Sequence, residues 1–324
     1  MPSCNLSKDE EGGILEIDFI GPEQYYTIYK KHFRKIGQVT FISTTLEELL
    51  FKPSHAAVVM LPLSQKAPVI HTLLEMGKDV LTPFPLANNY IEFDALQGQC
   101  NLHNRRLALI DPYRKYPSLL KVREEFRSKA ISEVENIELH VQPGFSEPDW
   151  WPDPDGYSGP AGLLIRLVAW LFQRNPISIK ISETDGASGA GSPSQHSLDL
   201  DLTGIPLQYR INQSIEGWRL DIHTPQTKME VSSDGSLKID NPLPGIPGNL
   251  THVNKDKMLV ESLRNFISCI RSRREPEVNS LDAMAGIALD LAILESKRGG
   301  EQINMVLIHS GQESDKEWLK SLKH

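Results

Sequence analysis

The chain has 324 residues, 40% of them hydrophobic and 23% charged, which is enough material for the cores of two ordinary domains. Its net charge of -8 excludes a dedicated nucleic-acid binder, which needs a basic footprint. Cys4, Cys100 and Cys269 stand far apart with no C-x-x-C spacing, so neither a zinc ribbon nor a disulfide framework is expected. Free thiols fit a reducing compartment. Residues 1–13 carry no apolar core of a secretory signal. The longest apolar stretch, 161–172, holds Arg166 and is too short to span a bilayer. A cytoplasmic location without membrane partners is the expectation.

In chain order, 14–20 read as a strand closed by Gly21-Pro22, and 23–35 as a helix with Tyr26, Ile28, Tyr29 and Phe33 at helical spacing. Residues 38–43 are a second strand. A capping box, Thr44 with Glu47 or Thr45 with Glu48, opens a short helix. The continuous apolar run 55–61 reads as a buried parallel strand. A helix over 68–76 ends at Gly77. It is followed by a strand over 79–81, a helix over 89–103 and a strand over 107–110. Strands alternating with helices imply a doubly wound parallel sheet.

That alternation ends near residue 125. Strands are predicted over 177–183, 197–202, 206–213, 218–223, 228–232 and 236–239. Turn signals such as Thr203-Gly204, Glu216-Gly217 and Asp234-Gly235 separate them. Short turns between successive strands mean a mostly antiparallel sheet. Helices over 162–173, 256–273 and 280–297 flank it. Residues 184–194 are a polar, glycine-rich loop. The expected class is thus α/β followed by α+β: a truncated Rossmann-like domain over 1–120, then an α+β domain over 121–324.

Specific motifs point the same way. His55-Ala56-Ala57-Val58-Val59-Met60-Leu61-Pro62 is followed 15 positions later by Gly77-Lys78-Asp79-Val80-Leu81-Thr82-Pro83-Phe84-Pro85-Leu86-Ala87. Near the end stand Pro276-Glu277-Val278-Asn279-Ser280 and Leu294-Glu295-Ser296-Lys297-Arg298-Gly299. In order and spacing these resemble the Gfo/Idh/MocA family, the relatives of glucose-fructose oxidoreductase and inositol dehydrogenase, over nearly the whole chain. The resemblance implies an N-terminal dinucleotide fold, NAD or NADP as cofactor in an active member, and association through the open face of the C-terminal sheet.

The chain departs from that family where its chemistry resides. No G-x-G-x-x-G opens the chain. The nearest stretch, Gly21-Pro22-Glu23-Gln24-Tyr25-Tyr26, offers a donorless proline and an anionic side chain to a phosphate. Gly21 lies only 41 positions before Pro62, so about one βα unit is missing. Either the first strand and its loop are absent, or the second unit is. The former is favoured, and a start upstream of Met1 would supply the missing piece. The family's Glu-Lys beside the nicotinamide reads Pro83-Phe84, which cannot ionise. In Gly162-Leu163-Leu164-Ile165-Arg166-Leu167-Val168-Ala169-Trp170-Leu171-Phe172-Gln173 the family's Asp, catalytic His and Asp positions hold Arg166, Trp170 and Gln173. None of these can shuttle a proton. Their spacing places all three on one helical face. Lys66, where the family often has histidine, reads as a solvated lysine.

These departures lead to an expected binding, regulatory or scaffolding relative with no catalytic residue. The alternative is an atypical NAD(P)-dependent oxidoreductase of the biliverdin-reductase kind. Apart from NAD or NADP in the active case, no cofactor is read from the residues. The candidate pocket residues are Phe84, Tyr113, Arg114, Arg166, Trp170 and Gln173. Tyr113 and Arg114 follow the strand 107–110 at its carboxyl edge, where open α/β sheets bind ligands. Trp150-Trp151-Pro152-Asp153-Pro154-Asp155 is an aromatic-acidic loop that rims a pocket, binds a partner or plugs a groove. No H-x-H or H-x-x-x-H spacing supports a metal. Expected partners are a small-molecule ligand and either a second copy or a related subunit.

Overall fold

The computed structural model describes residues 13–49, 54–128, 133–143, 145, 160–174, 176–184, 195–241, 249–250, 253–280 and single positions within 282–304. The loop at 150–155 and the tract 185–194 lie outside the described residues. The chain packs as two compact units: Met1–Pro112 with Glu147–Asp155 and Asp256–Met284, and Tyr113–Ser146 with Gly156–Lys255 and Ala285–His324.

The first unit is built on five parallel strands: β1 (Leu15–Ile20), β2 (Val39–Ser43), β3 (Ala56–Val59), β4 (Asp79–Pro83) and β5 (Leu107–Ile110). Their order is β2-β1-β3-β4-β5. Every residue of β3, β4 and β5 is buried, which is why these strands read as unbroken apolar runs and not as alternation. Helices α1 (Glu23–Arg34), α2 (Leu46–Leu49), α3 (Leu63–Glu75) and α4 (Tyr90–His103) connect them. The capping box forms at Thr45, whose Oγ1 accepts from Glu48 N at 3.3 Å while Glu48 Oε2 accepts from Thr45 N at 3.4 Å. The N-cap of α4 is Asn89, which accepts from Glu92 N at 3.0 Å. The free edge of β5 is covered by an antiparallel bridge between Ala108 and Asn279, with Leu109 N donating to Val278 O at 3.0 Å.

One detail differs from the sequence expectation. Helix α3 begins at Leu63, not at 68, so Pro68 sits inside it. Strand β1 pairs in parallel with both β2 and β3, so the direction of winding reverses between β1 and β3.

The second unit holds a nine-stranded sheet: β6 (Asn136–Val141), β7 (Ser178–Thr184), β8 (Gln195–Asp201), β9 (Pro206–Ile211), β10 (Trp218–His223), β11 (Lys228–Ser232), β12 (Leu237–Ile239), β13 (Asn249–Leu250) and β14 (Ile303–Asn304). The order is β13-β12-β11-β10-β6-β9-β8-β7-β14. Among the described residues only β6 and β9 pair in parallel in this sheet; the other pairings are antiparallel. Alternation is strict on the central strands. Ile137, Leu139, Val141, Trp218, Leu220 and Ile222 are buried on one face, and Glu138, His140, Arg219, Asp221 and His223 share the other. Helices α5 (Pro117–Arg127) and α6 (Pro160–Phe172) belong to this unit, and all but the first residue of α7 (Lys255–Ser272) to the first. Strand β6 and helix α5 were not foreseen. They lie at and just after the point near residue 125 where the alternation of the first unit ends.

Candidate functional site

In a parallel sheet all carboxyl ends lie along one edge, and ligands of doubly wound folds bind there, at the strand reversal. In this chain the reversal lies between β1 and β3, and the turn from β1 into α1 is the place for a phosphate. That turn is tight. Met60 N donates to Ile20 O at 2.8 Å. A Cβ on Gly21, whose φ is +154°, would stand 2.7 Å from Met60 O and 2.9 Å from Met60 Cβ. Pro22 is the N-cap and brings no N–H, and its own carbonyl accepts from Tyr25 N and Tyr26 N at 3.1 and 3.3 Å. The exposed Glu23 already places a carboxylate at the positive end of the helix, where an anion would go.

The face of α1 toward the sheet also differs from that of a dinucleotide site. Such a site needs a small residue at the third position of its glycine pattern, so that helix and strand approach closely. Here that position is Tyr26, stacked on Phe41 at 5.4 Å and 20°. Phe19 meets Tyr26, Tyr29 and Phe41 at 5.6, 6.3 and 5.6 Å, and Phe33 meets Phe41 at 4.4 Å. An aromatic layer therefore separates helix from strands. At the end of β2, where an acid would bind a ribose, stand Ser43 and Thr44.

Farther along the edge, Lys66 is 1% exposed, contrary to the solvated lysine expected from sequence. Its ammonium donates to Pro83 O at 3.1 Å and to Pro85 O at 2.7 Å. The helix α3 thus sends a cation into the turn after β4, and Phe84, 2% exposed, is packed within that turn. Thr82 Oγ1 donates to Val59 O at 2.9 Å and ties the same strand end to β3. At the opposite edge, buried Lys78 and Asp18 pair at 3.4 Å, both bonded to Ser54 Oγ. Burial raises the pKa of Asp79, and the N–H of Arg106, donating at 2.7 Å, opposes that rise.

In the second unit, the short 3-10 turn Pro112–Lys115 and the helices α5 and α6 gather aromatic and cationic groups. Tyr113, 1% exposed, meets Tyr116 at 5.3 Å and Trp218 at 5.2 Å, both edge-on. The guanidinium of Arg114 stands 5.4 Å from the Trp170 ring centroid, and that of Arg123 stands 4.3 Å from it. Arg166 is buried one helical turn before Trp170. Gln173 does not share this face. Helix α6 ends at Phe172, and Gln173 lies beyond it, exposed and left-handed at φ +55°. The fold therefore brings Arg114 and Trp170 together, with Arg166 on the same helix, while Tyr113 packs toward Trp218. Arg123 escaped the sequence reading because α5 itself did. The spacing of Leu119, Val122 and Phe126 carried that helix.

No family model matches the sequence, and no curated protein matches it in sequence. Its fold is similar to that of an oxidoreductase from Agrobacterium radiobacter solved with NAD+, L-tartaric acid and magnesium. The TM-score is 0.73 at 11% identity, over 90% of this chain and 98% of that one. It is also similar to the WlbA dehydrogenase from Bordetella pertussis solved with NADH and UDP-GlcNAcA: TM-score 0.71, 15% identity, 91% and 99% covered. An aldose-aldose oxidoreductase from Caulobacter crescentus, solved with glycerol, gives a TM-score of 0.67 at 17% identity, over 90% and 91%. The chain thus shares the fold of these solved structures: a parallel Rossmann-like sheet and a second, mostly antiparallel sheet. Among the described residues no helix is long and apolar enough to cross a membrane.

Proposed function

We propose that this chain is a Gfo/Idh/MocA relative that has given up nicotinamide hydride transfer and works as a binding, regulatory or scaffolding protein. The turn from β1 into α1 carries the reading. Its position at the strand reversal is the one a pyrophosphate would use. It presents a donorless Pro22, an anionic Glu23 and a glycine whose Cβ space is taken by Met60. Phe84 and Trp170 in place of lysine and histidine support it, because neither side chain exchanges protons. Trp170, with Arg114 and Arg123 near its ring and Arg166 buried one turn before it on the same helix, makes a cationic-aromatic cluster suited to a small ligand that is planar or anionic. The polar face of the nine-stranded sheet is the surface for pairing with a second copy or a related subunit.

A second reading, an atypical NAD(P)-dependent oxidoreductase, draws support from the NAD+ and NADH held by similar solved structures. A thermal-shift titration separates the two. A cofactor bound at about 10 μM and supplied at about 1 mM would add about 2.7 kcal/mol of stability. We expect no shift with NADH or NADPH; a saturable rise accompanied by hydride transfer to a carbonyl substrate would overturn the proposal.

A further inference from the structure

The polar face of the second sheet carries a row of carboxylates. Glu138 on β6 stands directly opposite Asp221 on β10, and Asp221 directly opposite Glu230 on β11. Like charges facing one another across strands repel, so each needs a cation. Glu230 has Lys238 at 3.0 Å. Asp221, its side chain 2% exposed, has Arg219 at 3.1 Å and Lys228 at 3.0 Å. Glu138 has no lysine or arginine partner among the described residues. Its neighbours are the Asn136 amide at 3.4 Å and two imidazole nitrogens, His140 Nε2 at 3.1 Å and His223 Nε2 at 3.8 Å. His223 Nε2 is buried and makes no hydrogen bond among the described residues.

We propose that Glu138, Asp221 and His223 form a binding site for one divalent transition ion of the zinc class. One ligand atom from each already lies within 4.8 Å of the others. Zinc bonds to nitrogen and carboxylate oxygen are about 2.0–2.2 Å, so the remaining closure takes only side-chain rotation. Glu138 and His223 are both partly exposed, whereas Asp221 is buried and held by its strand and by Arg219. Two carboxylates and a neutral imidazole balance a divalent charge. Lys228, 38% exposed at its side chain, swings to solvent when the ion replaces it on Asp221. A mixed imidazole and carboxylate set favours zinc, nickel or copper over magnesium or calcium, which take oxygen alone. His140, bonded to the other oxygen of Glu138, fixes that carboxylate's orientation. Water completes the coordination, as at other zinc sites with three protein ligands. All three ligands belong to the second unit, whereas the edge where a nicotinamide would bind belongs to the first. The sequence could not reveal it, because the ligands meet only through the β6–β10 register.

The test uses the full chain, stripped with a chelator and titrated calorimetrically with Zn2+ and with Mg2+. Saturable one-to-one binding of Zn2+, with no Mg2+ binding, is expected. Glu138→Gln and His223→Ala should each weaken it by about tenfold or more, and circular dichroism checks that both variants fold. Absence of saturable Zn2+ binding overturns the proposal. So does binding that both folded variants leave unchanged, because the ion would then sit elsewhere.

Discussion

Replacing Lys66 with methionine tests how the carboxyl edge of the first sheet is held. The lysine is 1% exposed and donates to Pro83 O at 3.1 Å and Pro85 O at 2.7 Å. Methionine keeps the stem's volume and deletes both bonds. A hydrogen bond from a charged donor contributes about 1.5–3 kcal/mol, and the variant leaves two carbonyls without that donor in a dry turn. Part of the loss is offset, since an ammonium no longer has to be buried. The expected net destabilisation is about 2–4 kcal/mol. For a unit of this size that lowers the melting temperature by roughly 5–15 °C. Calorimetry or circular dichroism measures it, and a two-unit chain makes resolved transitions informative. A loss under about 0.5 kcal/mol, the usual range for a solvated surface lysine, would refute the clamp and restore the expectation drawn from sequence.

Gly21→Ala should destabilise by about 1–3 kcal/mol through overpacking against Met60, measured by urea denaturation. A neutral result would mean that the turn has room for a phosphate after all. Trp170→Leu should cost about 1–2 kcal/mol by removing the ring that Arg114 and Arg123 approach. Trp170→His should yield no hydride transfer in a nicotinamide absorbance assay. His32 is buried on α1, and burial, then the Lys35 and Lys31 charges, lowers its pKa against the pull of Asp256. Between that lowered value and the unfolded value of about 6.5, the unfolded chain binds more protons. Stability should therefore fall as pH drops below about 6.5, and His32→Phe should flatten that slope in denaturant melts.

Much of the fold was legible because the first unit's strands are buried on both faces and its helices end at Gly77 and Asn104, leaving unbroken apolar runs between clear stops. The second sheet showed itself through alternation and Asp-Gly or Glu-Gly turns. Strand β6 was equally patterned, with Ile137, Leu139 and Val141 against Glu138 and His140, yet it was missed because it follows a helix instead of a turn signal. The spacing from Gly21 to Pro62 shows that about one βα unit is missing but not which, since either deletion shortens the chain equally. Lys66 was misread because its helix was started five residues late, at Pro68 instead of Leu63. Gln173 was placed on a helical face because nothing in Trp170-Leu171-Phe172-Gln173 marks the stop, which comes from a left-handed residue that is not glycine.

On the proposed reading, the turn Gly21-Pro22-Glu23 holds no dinucleotide. Isothermal calorimetry of the full chain with NADH and NADPH is the decisive measurement. No saturable heat is expected up to about 1 mM, where a site of about 10 μM would be about 99% occupied. Saturable one-to-one binding in the micromolar range, weakened by Gly21→Ala, would contradict it.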